Sequence, residues 1–164
     1  MDILKAYWRM EYVTSEADPE GGLKSPFKEL PQLGDDRKAL IVHRADHHYL
    51  VLNRYPYNPG HMLIVPYREV PELRDLEPEE RLEMMDLIVL CQDLISRSMN
   101  PAGFNVGFNL GRASGAGIPK HLHCHVVPRW EGDSNFLPVI GKTRSLPQAL
   151  DQTWEVLTKA LSNA

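Results

Sequence analysis

HLHCHVV, residues 121–127, places three of the chain's seven histidines at every second position, with Leu122, Cys124 and Val126 between them. In an extended strand alternate side chains share a face. The spacing therefore predicts a strand with His121, His123 and His125 along one side and Leu122, Cys124 and Val126 along the other, turned into a core. On that reading Cys124 is a small buried hydrophobe. Such a row admits three uses. The imidazoles can be surface or hydrogen-bonded groups without chemistry. Two of them can share a metal, although the outer pair stand ~13 Å apart along a strand, and zinc–nitrogen bonds are only about 2 Å long. Or they can do nucleophilic and acid–base work on an anion, one ring neutral and its neighbour carrying a proton.

The flanking sequence predicts where this strand sits. KALIVH (38–43), HHYLVLN (47–53) and HMLIVPY (61–67) read as short strands, the first two joined as a hairpin through Arg44–Asp46. Pro78 followed by Glu79 and Glu80 suits a helix start. Met84, Leu87, Ile88, Cys91, Leu94 and Ile95 then recur at helical spacing until Asn100-Pro101 stops the run. FNVGFNL (104–110) alternates, with Phe104, Val106, Phe108 and Leu110 on one face and Asn105, Gly107 and Asn109 on the other. A last helix puts Leu150, Trp154, Leu157 and Leu161 together. Residues 1–36 read as a helix over Asp2–Val13 followed by an extended arm rich in proline, glycine and charge. Together these segments predict an α+β chain with a mainly antiparallel sheet of about five strands, a long central helix and a C-terminal helix.

At 164 residues the chain is expected to form a single domain, with the arm over 1–36 and the core over 37–164. No apolar run approaches the ~20 residues that span a bilayer, and the first residues lack a signal-peptide pattern; the expected setting is the cytoplasm, away from membranes. Two cysteines without a C-x-x-C predict neither a disulfide framework nor a cysteine-rich zinc site. The net charge of −4 argues against a nucleic-acid binder, but it is unevenly spread. Residues 69–86 hold eight acids, whereas residues 101–130 hold none and carry Arg112, Lys120 and Arg129. That acid-free window contains the histidine row and either favours a small anion or simply reflects acids clustered on one exposed helix face.

HLHCHVV matches the alternating His–apolar signature of the histidine triad (HIT) superfamily of nucleotide hydrolases and transferases. VLNRYPYNPGHMLIVPYR resembles that family's strand–loop–strand segment, and FNVGFNLGRASGAG its strand and glycine-rich turn. PRWEGDSNF continues as in the bacterial branch similar to diadenosine tetraphosphate phosphorylases and hydrolases, and the likeness spans about residues 25–162. The resemblance implies a HIT-like fold, a homodimer, and cleavage of dinucleoside polyphosphates with water or phosphate as acceptor. It implies that His123 attacks the α-phosphorus to form a covalent nucleotidyl-histidine. His125 would contact phosphate and assist the leaving group, His121 would orient its neighbours, and His61 would be a fourth histidine packed against the triad. By the same resemblance Asn53 binds ribose, a role that competes with that of a turn-forming Asn after a strand. Val51 and Phe27 line the base pocket, and Asn109 sits near the phosphates. Ser114 to Gly117 form a turn whose amides can face an anion.

Two departures from the family pattern carry weight. Where many relatives place a C-x-x-C for structural zinc, this chain has Ser25-Pro26-Phe27-Lys28, so no zinc and no required cofactor is expected. Where relatives place a Gln, Ser or Thr before the first histidine, this chain has Ala116-Gly117-Ile118-Pro119, which leaves Ser114, Arg112 or Lys120 to assist the leaving group. Hydrolysis of nucleoside phosphoramidates and a non-catalytic nucleotide-binding role are the alternatives to polyphosphate cleavage.

Overall fold

Five antiparallel strands form one sheet in the order β1-β2-β3-β5-β4: β1 (Ile41–Arg44), β2 (His48–Leu52), β3 (Met62–Pro66), β4 (Gly103–Phe108) and β5 (Cys124–Arg129). The computed structural model describes residues 25–133 and 149–162. The helix expected over residues 2–13 lies outside them.

The apolar alternation builds two cores, one on each face. Leu50, Leu52, Met62, Ile64, Cys124 and Val126 point to the face covered by helices α3 (Pro78–Met99) and α4 (Leu150–Ser162). Helix α3 starts where Pro78 and a reciprocal capping box between Glu77 and Glu80 satisfy its first amides. It ends on Asn100 in the left-handed conformation. Arg68 donates to both oxygens of Glu80 and holds that carboxyl down at about 2. The expected stripe is buried at Met84, Leu87, Cys91, Leu94 and Ile95, with Ile88 partly covered. Burying a leucine-sized side chain contributes roughly 2 kcal/mol, so this face carries much of the fold's stability. Burial pushes the Cys124 thiol up to about 12 and raises the Cys91 thiol as well, as befits two packing residues.

The opposite face carries a smaller core of Phe27, Leu30, Ala39, Ile41, Tyr49, Val51, Leu63 and Val65. Two short helices cover it, α1 (Pro26–Glu29) and α2 (Asp36–Ala39), with a 3-10 turn over Leu30–Gln32. This corrects the extended arm expected here. Phe27 and Leu30 are apolar enough to be buried, and Pro26 and the Asp35 side chain, which accepts from the Lys38 amide, start the two helices. It also shortens the first strand, which begins at Ile41 rather than Lys38 because Leu40 turns the chain with a φ of 62°.

Two further expectations change. The hydrogen-bonded ladder of β5 begins at Cys124, so His121 and His123 precede the strand. The His121 amide donates to Ile118 and the Leu122 amide to Val70, outside the sheet. The alternation of faces persists through this stretch all the same. On β4, Phe104 and Phe108 pack on the larger core, but Val106 and Leu110 are exposed, because β4 is an edge strand beyond the reach of the helices.

Gly60, just before β3, has a φ of 75°, and a Cβ there would lie 2.7 Å from Met99 Sδ. The methionine can move, but the left-handed backbone costs a non-glycine residue about 1–2 kcal/mol. Gly60→Ala is therefore expected to lose that much stability in a urea titration; an unchanged midpoint would contradict the strain.

Candidate active site

The antiparallel register sets Val51, Leu63, His125 and Gly107 in one row across the sheet. Above this row opens a cleft of about 630 Å³, counting the space that communicates with solvent. Its walls are apolar where Phe27, Leu30, Ala39, Leu40, Leu63 and Ile118 meet. Asn53, Arg54, Tyr55 and Gly117 add polar groups, and His123 and His125 also line it.

Hydrogen-bond partners fix which nitrogen of each imidazole holds a proton. His123 Nδ1 lies 2.9 Å from the His121 carbonyl. A carbonyl only accepts, so Nδ1 carries hydrogen and Nε2 keeps the lone pair. His121 Nε2 donates to the Pro66 carbonyl at 2.8 Å, pinning the segment before β5 to the end of β3. Phe27 packs against both rings, at centroid distances of 5.5 Å from His121 and 5.0 Å from His123.

A second chain of contacts runs to His125. The Tyr57 amide donates to His61 Nδ1 at 3.0 Å, and the Asn53 amide approaches the same nitrogen at 3.4 Å. His61 Nδ1 is thus an acceptor, and its Nε2–H donates to His125 Nδ1 at 2.9 Å. The neutral His125 ring is left with its hydrogen on Nε2, 3.3 Å from the Asn109 side-chain amide. Because that nitrogen donates, the amide oxygen of Asn109 is the atom suited to face it. The result is a lone pair on one imidazole and an N–H donor on the next, with ring centroids 5.0 Å apart. This arrangement suits nucleophilic displacement in which the leaving oxygen is stabilised by a hydrogen bond.

The remaining expected residues divide. Val51, Phe27, Asn53 and Gly117 line the cleft. Asn53 is also a turn former, since its Oδ1 accepts from the Tyr55 amide at 2.9 Å. Asn109 meets His125 rather than the cleft lining. Ser114 stands apart from these. It lies in an exposed 3-10 turn, its hydroxyl donates to the Gly111 carbonyl at 2.7 Å, and it does not line the cleft. The short side chain is used by its own turn.

Several residues of the site carry no signal in the sequence. Tyr57 stacks on His61 at 4.9 Å with an interplanar angle of 15°. Asn58 donates to Asp133 at 2.8 Å and to the Pro128 carbonyl at 2.9 Å, clamping the Tyr57-bearing loop to the end of β5. Arg129 donates to both oxygens of Asp133 and holds that carboxyl well below the usual range. Only the i, i+4 spacing of Arg129 and Asp133 was open to notice. Leu40, Arg54, Tyr55 and Ile118 become wall residues only through the fold.

Away from the cleft, His48 Nδ1 sits 2.6 Å from Glu83 Oε2, and its Nε2 is buried with no hydrogen-bond partner among the described residues. Burial lowers the protonation of both His48 and His121 below the ordinary value of 6.5. Both are neutral in the fold, whereas the unfolded chain takes up protons as pH falls through 6.5. Their contribution to stability is complete above that pH and is lost on acidification below it. A lower urea midpoint at pH 5.5 than at pH 7.5 is the expected result.

An imidazole with its lone pair on Nε2 beside one with its hydrogen on Nε2, set in an apolar cleft over an antiparallel sheet, is the equipment of a class of proteins that displace groups at phosphorus. Comparison with known proteins makes this specific. The HIT domain family model matches residues 35–132, and the chain belongs to that family. It is 44% identical to the AP-4-A phosphorylase of Mycobacterium tuberculosis over 164 aligned residues, 95% of this chain and 84% of that protein. It is 34% identical to the asymmetrical bis(5'-nucleosyl)-tetraphosphatase of Schizosaccharomyces pombe over 82 residues, 50% of this chain and 44% of that protein. Among solved structures, a zinc-bound histidine triad family protein from Mycobacterium smegmatis superposes with a TM-score of 0.62 at 25% identity, covering 76% of this chain and 84% of that one. A histidine triad nucleotide-binding protein from Sulfolobus tokodaii shares the fold, with a TM-score of 0.66 at 21% identity, covering 84% of this chain and 91% of that one.

Structural zinc of the kind a C-x-x-C would hold does not fit the residues here. Ser25 to Lys28 offer no thiolate or imidazole, and Phe27 is turned onto the triad. Among the described residues no three His, Cys, Asp or Glu side chains form a group able to hold a metal ion.

Proposed function

We propose that this protein cleaves dinucleoside polyphosphates of the diadenosine tetraphosphate type by nucleotidyl transfer through His123, with inorganic phosphate as the acceptor. The observation that carries the reading is the fixed pair of tautomers, with His123 Nδ1–H held by the His121 carbonyl and His125 protonated on the nitrogen beyond His61. The lone pair on His123 Nε2 attacks the α-phosphorus. The bond to the bridging oxygen breaks, and ATP departs with the electron pair, its new negative charge stabilised by the hydrogen bond that His125 Nε2 donates. A phosphate oxygen then displaces the imidazole from phosphorus, releasing ADP and giving its proton to solvent, and His123 Nε2 regains its lone pair. The apolar walls around Val51 and Phe27 would hold the base, Asn53 the ribose, and Asn109 with the Gly117 turn the phosphates. His121 serves through its carbonyl and its anchor to Pro66.

The choice of phosphate over water follows the name of the Mycobacterium tuberculosis relative at 44% identity. The test is incubation with diadenosine tetraphosphate with and without phosphate. ADP plus ATP formed only with phosphate supports phosphorolysis; AMP plus ATP in phosphate-free buffer points to hydrolysis; no products in either would count against the activity itself. No resident metal is proposed, so protein dialysed against a chelator beforehand should keep its activity.

The free edge of β4, with Val106 and Leu110 exposed, suits a homodimer in which a second copy extends the sheet. Light scattering after gel filtration tests that state. We place the protein in the cytoplasm, acting on free nucleotides rather than nucleic acid. No helix among the described residues is long and apolar enough to cross a membrane.

A further inference from the structure

No backbone requirement explains the glycine at position 107. Gly107 stands opposite His125 on the face that carries the cleft. Its φ is not left-handed, and a Cβ built there meets no atom within 4 Å. Glycine weakens a strand relative to residues that have side chains. Its effect here is to keep the sheet bare beside His125.

The neighbours of Gly107 on that face are Asn105 and Asn109. Asn109 meets His125. Asn105 is exposed, and its Oδ1 accepts from Arg129 Nη1 at 2.7 Å, so the side chain presents its N–H donors elsewhere. Residues 101–130 contain no acid, and the nearby Asp133 has both its oxygens bonded by Arg129, the residue that also holds Asn105. The cleft lined by Val51, Leu63 and Phe27 lies on the other side of His125, over β2 and β3. In an in-line displacement the leaving oxygen departs opposite the attacking nitrogen. With the nucleoside over β2 and β3 and His125 Nε2 donating a hydrogen bond to the leaving oxygen, the rest of the substrate must pass His125 toward β4.

We propose that the strip Asn109–Gly107–Asn105 is a subsite for the leaving polyphosphate, with Gly107 as its floor and the two amides as donors. This rests on His123 being the nucleophile. Asn105 and Asn109 are ~13 Å apart along the chain, which accommodates several consecutive phosphates. Such a subsite selects substrates by their leaving group. A long phosphate chain uses it, whereas a nucleoside phosphoramidate, which releases only an amine, does not reach it.

The test compares diadenosine tetraphosphate with adenosine 5′-phosphoramidate in wild type, Gly107→Val and Asn105→Ala. In Gly107→Val the ratio of kcat/KM for the tetraphosphate over the phosphoramidate is expected to fall by about tenfold or more, the equivalent of one well-formed contact. Asn105→Ala should lower it less, through KM. A ratio within about twofold of wild type in both variants overturns the subsite. If Gly107→Val folds poorly by circular dichroism, Gly107→Ser carries the same reading. A second measurement does not depend on turnover: inorganic tripolyphosphate titrated into the protein should shift the amide NMR signals of Gly107 and Asn105 in wild type and not in Gly107→Val. If wild type turns over neither nucleotide, the functional reading falls, and the titration still decides the subsite. Absence of any shift in wild type overturns it.

Discussion

Replacing His123 with alanine is expected to lower turnover of diadenosine tetraphosphate by at least about 10⁴-fold, in line with the loss of a covalent nucleophile elsewhere. The size of the effect follows from the geometry. Nδ1 of this ring is committed to the His121 carbonyl, so Nε2 alone carries the attacking lone pair. His125 cannot substitute, because its Nδ1 accepts from His61 and its Nε2 carries the proton. Nucleotide binding should survive the change, since Leu30 and Leu63 keep their places in the wall and Phe27 keeps its contact with His121. Brief exposure of wild type to substrate followed by peptide mass mapping should find an adenylylated peptide spanning residues 121–127, absent from His123→Ala. Equal rates in wild type and variant, with binding intact in both, would instead describe a nucleotide-binding protein without catalysis.

His125→Gln should cost about 10²–10³-fold on the same substrate, the usual loss when a donor aimed at developing charge is displaced. Glutamine retains an oxygen able to accept from His61, so the pair in the fold is not orphaned. The discriminating comparison is a substrate whose leaving group needs little stabilisation. With the 4-nitrophenyl ester of AMP the loss should shrink to about tenfold or less. The same large loss on both substrates would mean that His125 positions phosphate and does not stabilise the leaving oxygen.

Much of this site was legible in the linear sequence because it depends on parity. Alternation placed His121, His123 and His125 on one face and Cys124 in the core, and that held even though the ladder begins only at Cys124. Helix α3 was readable from Pro78 to Asn100 because its buried stripe and its stop signals agree. What escaped depends on distance along the chain. Tyr57 reaches His61 through a loop of no fixed period, and Asn58 meets Asp133 across 75 positions. Val106 and Leu110 alternate as a buried face would, but whether that face is covered depends on strand order, which pattern alone does not encode. The burial of Phe27 and Leu30 against β1–β3 was likewise hidden in a stretch whose prolines and charges suggest a loop.

The ties between the two ends of the described chain have a consequence for assembly. Arg37, on α2, donates to Asp151 and Glu155 and stacks over Trp154, whose indole nitrogen donates to the Ile41 carbonyl at 2.8 Å. Helix α2 supplies Ala39 and leads into Leu40, part of the wall that would grip the nucleoside. A chain cut short of residue 150 lacks this tie, and its wall at Ala39 and Leu40 is expected to hold a nucleoside less firmly.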